Sequence, residues 1–191
     1  VEGDTEQRAF PLLFRLCEGL SLQAAGVALW ACFNNEGALH LARYLIKHQR
    51  MFMLVVDADS RNISKSMFKE KKLREYFGEK VDDYVKFIGE TGGAGNENFP
   101  ELEALFSDET WATVANEIWP KNEGSWSPTD FSKCRKEKKF SGSVLEILKK
   151  SSDVGPTGKP DMMYRFSLAL RDPQDVPQQL REIFSQIREM A

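Results

Sequence analysis

The sequence predicts an α/β fold: a parallel sheet flanked by helices, with a helical insertion or subdomain. Three observations predict it. The run Met51-Phe52-Met53-Leu54-Val55-Val56 is apolar without alternation, the pattern of a strand buried on both faces. Another buried strand, Gly26 to Phe33, precedes it, and a shorter strand, Tyr84 to Ile88, follows. Helically periodic stretches lie between, and strand–helix alternation is the grammar of a parallel sheet with crossover helices. At 191 residues, 41% apolar and 29% charged, the chain matches a globular protein with material for one sizeable core.

In chain order, Val1-Glu2 reads as the end of a strand whose body is absent, which marks the chain as a piece of a longer protein. Gly3 supplies freedom for a sharp bend into a helix over Thr5 to Leu20. Asp4 or Thr5 would cap that helix, and Phe10, Leu13, Phe14 and Cys17 form its buried stripe. Gly26–Phe33 is a buried strand. Asn34-Asn35-Glu36-Gly37 turns into a helix from Ala38 to His48, with Leu39, Ala42, Leu45 and Ile46 inward. After the Met51–Val56 strand, a charged helix from Ser64 to Phe77 leads to the strand Tyr84–Ile88. Alternation stops at Thr91-Gly92-Gly93-Ala94-Gly95-Asn96, a glycine-rich loop without the Gly-Lys-Ser/Thr ending of a phosphate loop. From Phe99 to Ser152 the pattern is helical or irregular. Gly155-Pro156-Thr157-Gly158 breaks it. One helix then starts near Pro160, a residue suited to a first turn, and the last runs from Val176 to Met190. The expected organisation is a catalytic core over 1–98, a helical insertion over 99–155, and C-terminal helices over 156–191 that complete the region.

The chemistry concentrates in acidic residues. Side chains alternate along a strand, so Asp57 and Asp59 should leave the carboxyl end of the Met51–Val56 strand on one side. Ligands of open α/β sheets bind just beyond such ends. Two carboxylates there repel unless a cation or proton neutralises them. Glu2, at a strand end, and Glu6, in the first turn of the next helix, bring the set to four. Ser60 offers a further oxygen, or caps the next turn. Glu6 can equally serve the helix dipole, and Asp59 a turn. An oxygen-only cluster without His or Cys suits Mg²⁺ or Mn²⁺.

Net charge is −3, so any basic surface must be local. The most basic run contains Lys133, Arg135, Lys136, Lys138 and Lys139; it is either a solvated face or a contact for a phosphate backbone. Cys17, Cys32 and Cys134 are odd in number and widely spaced, as expected of free thiols in the cytoplasm. No apolar stretch approaches the ~20 residues that span a bilayer. His40 and His48 have no partner at metal-ligand spacing and read as structural. No Gly-x-Ser-x-Gly or Cys–His arrangement suggests a covalent hydrolase.

Val1-Glu2-Gly3-Asp4-Thr5-Glu6, then a βα unit, then an apolar strand ending in Asp57-Ala58-Asp59, together resemble the Toprim domain. The wording with Thr5 and Glu6 is most similar to the OLD (overcoming lysogenisation defect) family nucleases. Residues 1–90 carry the resemblance, and it is looser beyond them. It implies a Toprim-like, Rossmann-like sheet, DNA as substrate, and an ATPase domain upstream in the same polypeptide. It also implies a metal-dependent endonuclease in which two Mg²⁺ or Mn²⁺ ions flank the scissile phosphodiester. Glu2, Glu6, Asp57, Asp59 and Ser60 would be the metal-site residues, Asp57 and Glu6 being indispensable. A further glutamate in Glu-Asn-aromatic context matches Glu97-Asn98-Phe99, with Glu101 and Glu103 as local competitors. A basic residue beyond the acids matches Lys159 in Gly158-Lys159-Pro160, with Arg165 as backup; Pro160 would hold Lys159 extended in a loop. The helical insertion could grip DNA, dock the ATPase region or build a homodimer. Two other readings stand beside this one: a haloacid-dehalogenase-like phosphatase using Asp57 and Asp59, and a non-catalytic module binding metal or a partner.

Overall fold

The computed structural model describes residues 1–33, 35–61, 68–89, 101–137 and 139–191, without the side chains of Asn35, Glu36, Asp59 and Arg61. Helices are α1 (Asp4–Glu18), α2 (Asn35–Lys47), α3 (Glu70–Phe77), α4 (Val81–Tyr84), α5 (Asp108–Ile118), α6 (Pro128–Cys134), α7 (Phe140–Ser151), α8 (Lys159–Ala169) and α9 (Gln178–Met190). Strands β1 (Leu54–Asp57) and β2 (Val85–Ile88) pair in parallel, from Leu54 opposite Val85 to Asp57 opposite Ile88. Short 3₁₀ turns occupy 58–61, 78–80, 102–105 and 173–175.

Period-two alternation places the sheet between two apolar cores. Leu54, Val56, Val85 and Phe87 pack with Leu39 and Ala42 of α2 and with Phe68, Leu73 and Phe77. Val55 and Ile88 turn the other way, into the larger core with α1 and the helices after residue 101. Asp57 follows Val55 by two residues, which places it on the α1 face. The mixed α/β class is thus present as a small parallel sheet flanked by helices.

Several expectations change. Residues 26–33 form no regular strand, both ends being left-handed (Gly26 φ 78°, Phe33 φ 58°), and they are not buried on both faces: Trp30 is 69% and Phe33 68% exposed. They do lie alongside the first residues: the Val1 amino group donates to the Trp30 carbonyl at 2.9 Å, and Cys32 N–H to the Val1 carbonyl at 3.0 Å. That alternation is the parallel-pair pattern, and it ends where Phe33 turns left-handed at φ 58°. Strand β1 starts only at Leu54, leaving Met51 exposed, and Ile46 lies on the open side of α2. The expected helix from Ser64 begins only at Glu70, because Phe68 lies in a turn and Lys69 is an extended N-cap; 62–67 lie outside the described residues. So does the glycine-rich loop within 90–100.

The segment expected as an insertion shares its core with α1, α8 and α9 rather than building one alone. Trp111 of α5 stacks on Phe131 and meets Phe166 of α8, while Phe184 of α9 packs edge-on against Phe10 and Phe14 of α1. Such aromatic pairs add to the burial that holds the layer together. Gly155 is required by contact: a Cβ there would meet the Leu148 carbonyl oxygen at 2.8 Å. Gln179 of α9 lies along β2, its amide donating to the Phe87 carbonyl at 3.1 Å and accepting from Gly89 N–H at 3.0 Å. Among the described residues no helix is long and apolar enough to cross a membrane.

Candidate metal centre

The site is built where β1 ends beside the start of α1. Glu6 opens the stripe that continues through Phe10, Leu13 and Phe14, so the face that buries those rings buries Glu6 to 4% exposure. Its Oε2 accepts from Gly3 N–H at 2.8 Å. Gly3, rather than Asp4 or Thr5, is therefore the N-cap residue, and the third helical residue reaches back to it as in a capping box. Gly3 itself is extended at φ −142°, a conformation open to any residue, so the bend does not depend on glycine.

Glu2 ties the two acidic segments together. Its Oε2 accepts from the Ser60 hydroxyl at 2.8 Å and from Asp57 N–H at 3.3 Å. Ser60 is fully buried, directly after the strand. The chain enters a 3₁₀ turn at Ala58, so strand alternation ends at Asp57 and cannot be carried on to Asp59. The Asp59 side chain and all of Glu97 lie outside the described residues, as does Lys138.

The cluster's other wall comes from residues that the sequence reading held only as competitors of Glu97. Glu101 and Glu103 flank the start of the 102–105 turn, buried to 6% and 0% exposure. Lys159 does not hang in a loop: it is the first residue of α8, whose opening hydrogen bond runs from Met162 N–H to the Gly158 carbonyl at 2.9 Å. Proline is tolerated in that first turn because its missing N–H has no helical partner to lose. The Lys159 ammonium lies 3.3 Å from Glu103 Oε2 and 4.0 Å from Glu101 Oε1. Both contacts are ion pairs. Glu101-Leu102-Glu103 repeats the acid-x-acid spacing of Asp57-Ala58-Asp59, which is the signal that could have singled it out.

Electrostatics bind these groups into one site. Burial raises the Asp57 pKa well above the ordinary carboxylate range; Glu6, Glu103 and Glu2 add to the rise and Lys159 opposes it. Burial likewise pushes Glu103 up to about 7, against the pull of Lys159. Burial alone would lower the Lys159 pKa, but Glu103, Asp57 and Glu101 reverse that and raise it, so Lys159 is a cation at neutral pH. Asp57 Oδ1 and Glu103 Oε1 are buried without a hydrogen-bond partner among the described residues, and Glu103 Oε2 has only Lys159, at 3.3 Å. Orphaned buried carboxylate oxygens are costly, and an all-oxygen set of this kind fits a hard divalent cation. As they stand, no three His, Cys, Asp or Glu side chains among the described residues are grouped closely enough to hold one ion.

The basic run divides. Arg135 turns inward: it donates to Asp108 at 2.7 Å, to the Ala104 carbonyl at 2.8 Å and to the Phe106 carbonyl at 2.6 Å, and lies over the Phe140 ring. Its guanidinium is committed to the fold, which corrects its expected place on a nucleic-acid surface. Lys133, Lys136 and Lys139 are exposed. Comparison with family models, with curated proteins and with solved structures finds no match to this chain.

Proposed function

We propose that this chain is a metal-dependent DNA endonuclease, the catalytic region of an ATPase–Toprim protein of the OLD type. One observation supports the reading above the others: Glu2, Glu6 and Glu103, from separate segments, and Lys159 all act electrostatically on Asp57 at the carboxyl end of β1, where Lys159 lies 3.3 Å from Glu103. Glu2, Glu6, Asp57 and Glu103 would hold Mg²⁺ or Mn²⁺, with Asp59 and Glu97 as the further donors the sequence suggests. Bound there, the metal neutralises the phosphodiester and supplies an activated water.

The chain's own groups do the rest. Ser60 fixes Glu2, so the first acid stays oriented toward the strand end. Glu6 is held by its own helix start, which sets its height along the α1 axis. Lys159 remains charged and is one-third exposed. It therefore steadies negative charge that builds on the phosphate and does not act as a base. Lys133, Lys136 and Lys139 supply an exposed cationic surface for the duplex backbone. A phosphatase working through Asp57 and Asp59 would have no use for Glu2, Glu6 or Glu103.

The test is cleavage of supercoiled plasmid with Mg²⁺ or Mn²⁺ against EDTA, for the wild type, Asp57→Ala and Glu6→Ala. Metal-dependent nicking or linearisation that disappears in both variants is the expected result. Full cleavage by both folded variants overturns the site. Hydrolysis of a small phosphomonoester without DNA cleavage overturns the nuclease reading in favour of the phosphatase.

A further inference from the structure

Glu101 is gripped from a distance. The Ser141 N–H donates to its Oε2 at 3.0 Å and the Ser141 hydroxyl to its Oε1 at 2.9 Å. Both residues are buried, Glu101 to 6% and Ser141 to 4% exposure. Ser141 lies in the first turn of α7, whose N-cap residue, Lys139, makes no side-chain capping bond. Glu101 is thus fixed by two bonds to a helix forty residues away in the chain. The same Oε1 that takes the Ser141 hydroxyl lies 4.0 Å from Lys159 Nζ.

Lysine is a compact charge on a flexible stem, and its position is set by what surrounds its end. Here the surroundings are Glu103 on one side and Glu101 on the other. The Trp111 indole N–H holds the Glu103 carbonyl at 3.1 Å, but among the described residues the Glu103 carboxylate has no partner besides Lys159, so it does not locate the ammonium alone. Glu101 does, because Ser141 holds it. We propose that Ser141 is a positioning residue: through Glu101 it fixes the Lys159 ammonium at the site. This rests on the reading of Lys159 as the cation that steadies the phosphate. The segment's backbone is held separately, by Arg135 at Ala104 and Phe106. Loss of the Ser141 hydroxyl should therefore release Glu101 Oε1, the oxygen beside Lys159, while the Ser141 N–H still holds Oε2 and the segment stays in place.

The test uses the full chain as wild type, Ser141→Ala, Ser141→Thr, Glu101→Gln and the Ser141→Ala/Glu101→Gln double variant. In metal-free protein, lysines are tagged with ¹³C-methyl groups and the Lys159 signal is assigned with Lys159→Arg. Ser141→Ala should move that signal, Ser141→Thr should restore it, and Ser141→Ala should add nothing once Glu101 is Gln. In plasmid cleavage, Ser141→Ala should lower kcat about tenfold, the scale of one charge-assisted hydrogen bond, and leave KM for DNA unchanged. An unmoved Lys159 signal in Ser141→Ala, or an undiminished Ser141→Ala effect beside Glu101→Gln, overturns the proposal. If Ser141→Ala does not fold, Glu101→Gln alone, which still offers Ser141 an acceptor, must move the signal, and its failure to do so is equally fatal. A wild type that cuts no DNA defeats the nuclease reading, while the lysine signal still decides the positioning role.

Discussion

Without a bound cation the metal-free protein should become less stable as pH rises from about 4.5 to about 7, because Glu103 must ionise in a fully buried place. Its folded-state pKa is raised above the unfolded value, so the folded chain binds the proton more tightly. The stability it contributes is complete below 4.5 and is lost as pH rises through about 7. That rise, at roughly 1.4 kcal/mol per pKa unit, is worth about 3 kcal/mol. For a chain of this length it corresponds to roughly 6–12 °C in Tm. Asp57, raised for the same chief reason, acts in the same direction. Asp130 is lowered, so its contribution is lost only as pH falls below the carboxylate range, outside this window. The Val1 amino group, lowered by burial, opposes the trend near neutrality but is common to all variants. The assay is thermal unfolding in EDTA across this range, for wild type and Glu103→Gln. Wild type should lose Tm relative to Glu103→Gln as pH rises, and saturating Mg²⁺ should recover it. Parallel curves for the two proteins in EDTA would refute the reasoning.

Other predictions follow from single contacts. Lys159→Ala should lower the cleavage rate by roughly 10²–10³-fold, far more than it changes divalent-ion affinity by calorimetry, since lysine holds charge without binding the ion. A matching loss of metal affinity would give it a structural role instead. Arg135→Lys should cost about 2–4 kcal/mol in denaturant unfolding, because an ammonium cannot reach Asp108 and two carbonyls at once. Its DNA affinity should be unchanged. Replacing Lys133, Lys136 and Lys139 by Ala together should reduce the salt dependence of DNA binding by about 3 in log–log slope, measured by fluorescence anisotropy. An unchanged slope would remove this surface from the DNA path.

How much was legible depends on the range of the interaction. Helix α1 could be read because Phe10, Leu13 and Phe14 recur at helical spacing, and β2 because Val85, Phe87 and Ile88 are β-favouring apolar residues in one short stretch. Glu2, Asp57 and Ser60 were legible as neighbours because each lies near an element boundary that pattern marks, and Glu2 does bond to the other two. The Gly26–Phe33 run misled, because an apolar sequence does not say whether both faces are covered; Trp30 and Phe33 are exposed. The 99–155 segment was illegible in another way. Periodicity shows that it is helical, but its Trp111 and Phe140 join Phe10 and Phe184 in one core through contacts remote in sequence. Arg135 illustrates the same limit: five basic residues in a row of seven suggest a surface, while three carbonyl and carboxylate partners decide otherwise.

The placement of Lys159 on α8 has a consequence for synthesis of the chain. The acids of the first segment leave the ribosome early, and their counter-cation leaves late, on the helix that also closes the core against α1. A nascent chain halted at Thr157 contains the Asp57 cluster but neither Lys159 nor the rings of Phe166 and Phe184 that pack the layer beneath it. Synthesis through α8 and α9 thus acts as a timer, and a product terminated before them carries Asp57 and Glu103 without the cation beside them or the rings that close the core.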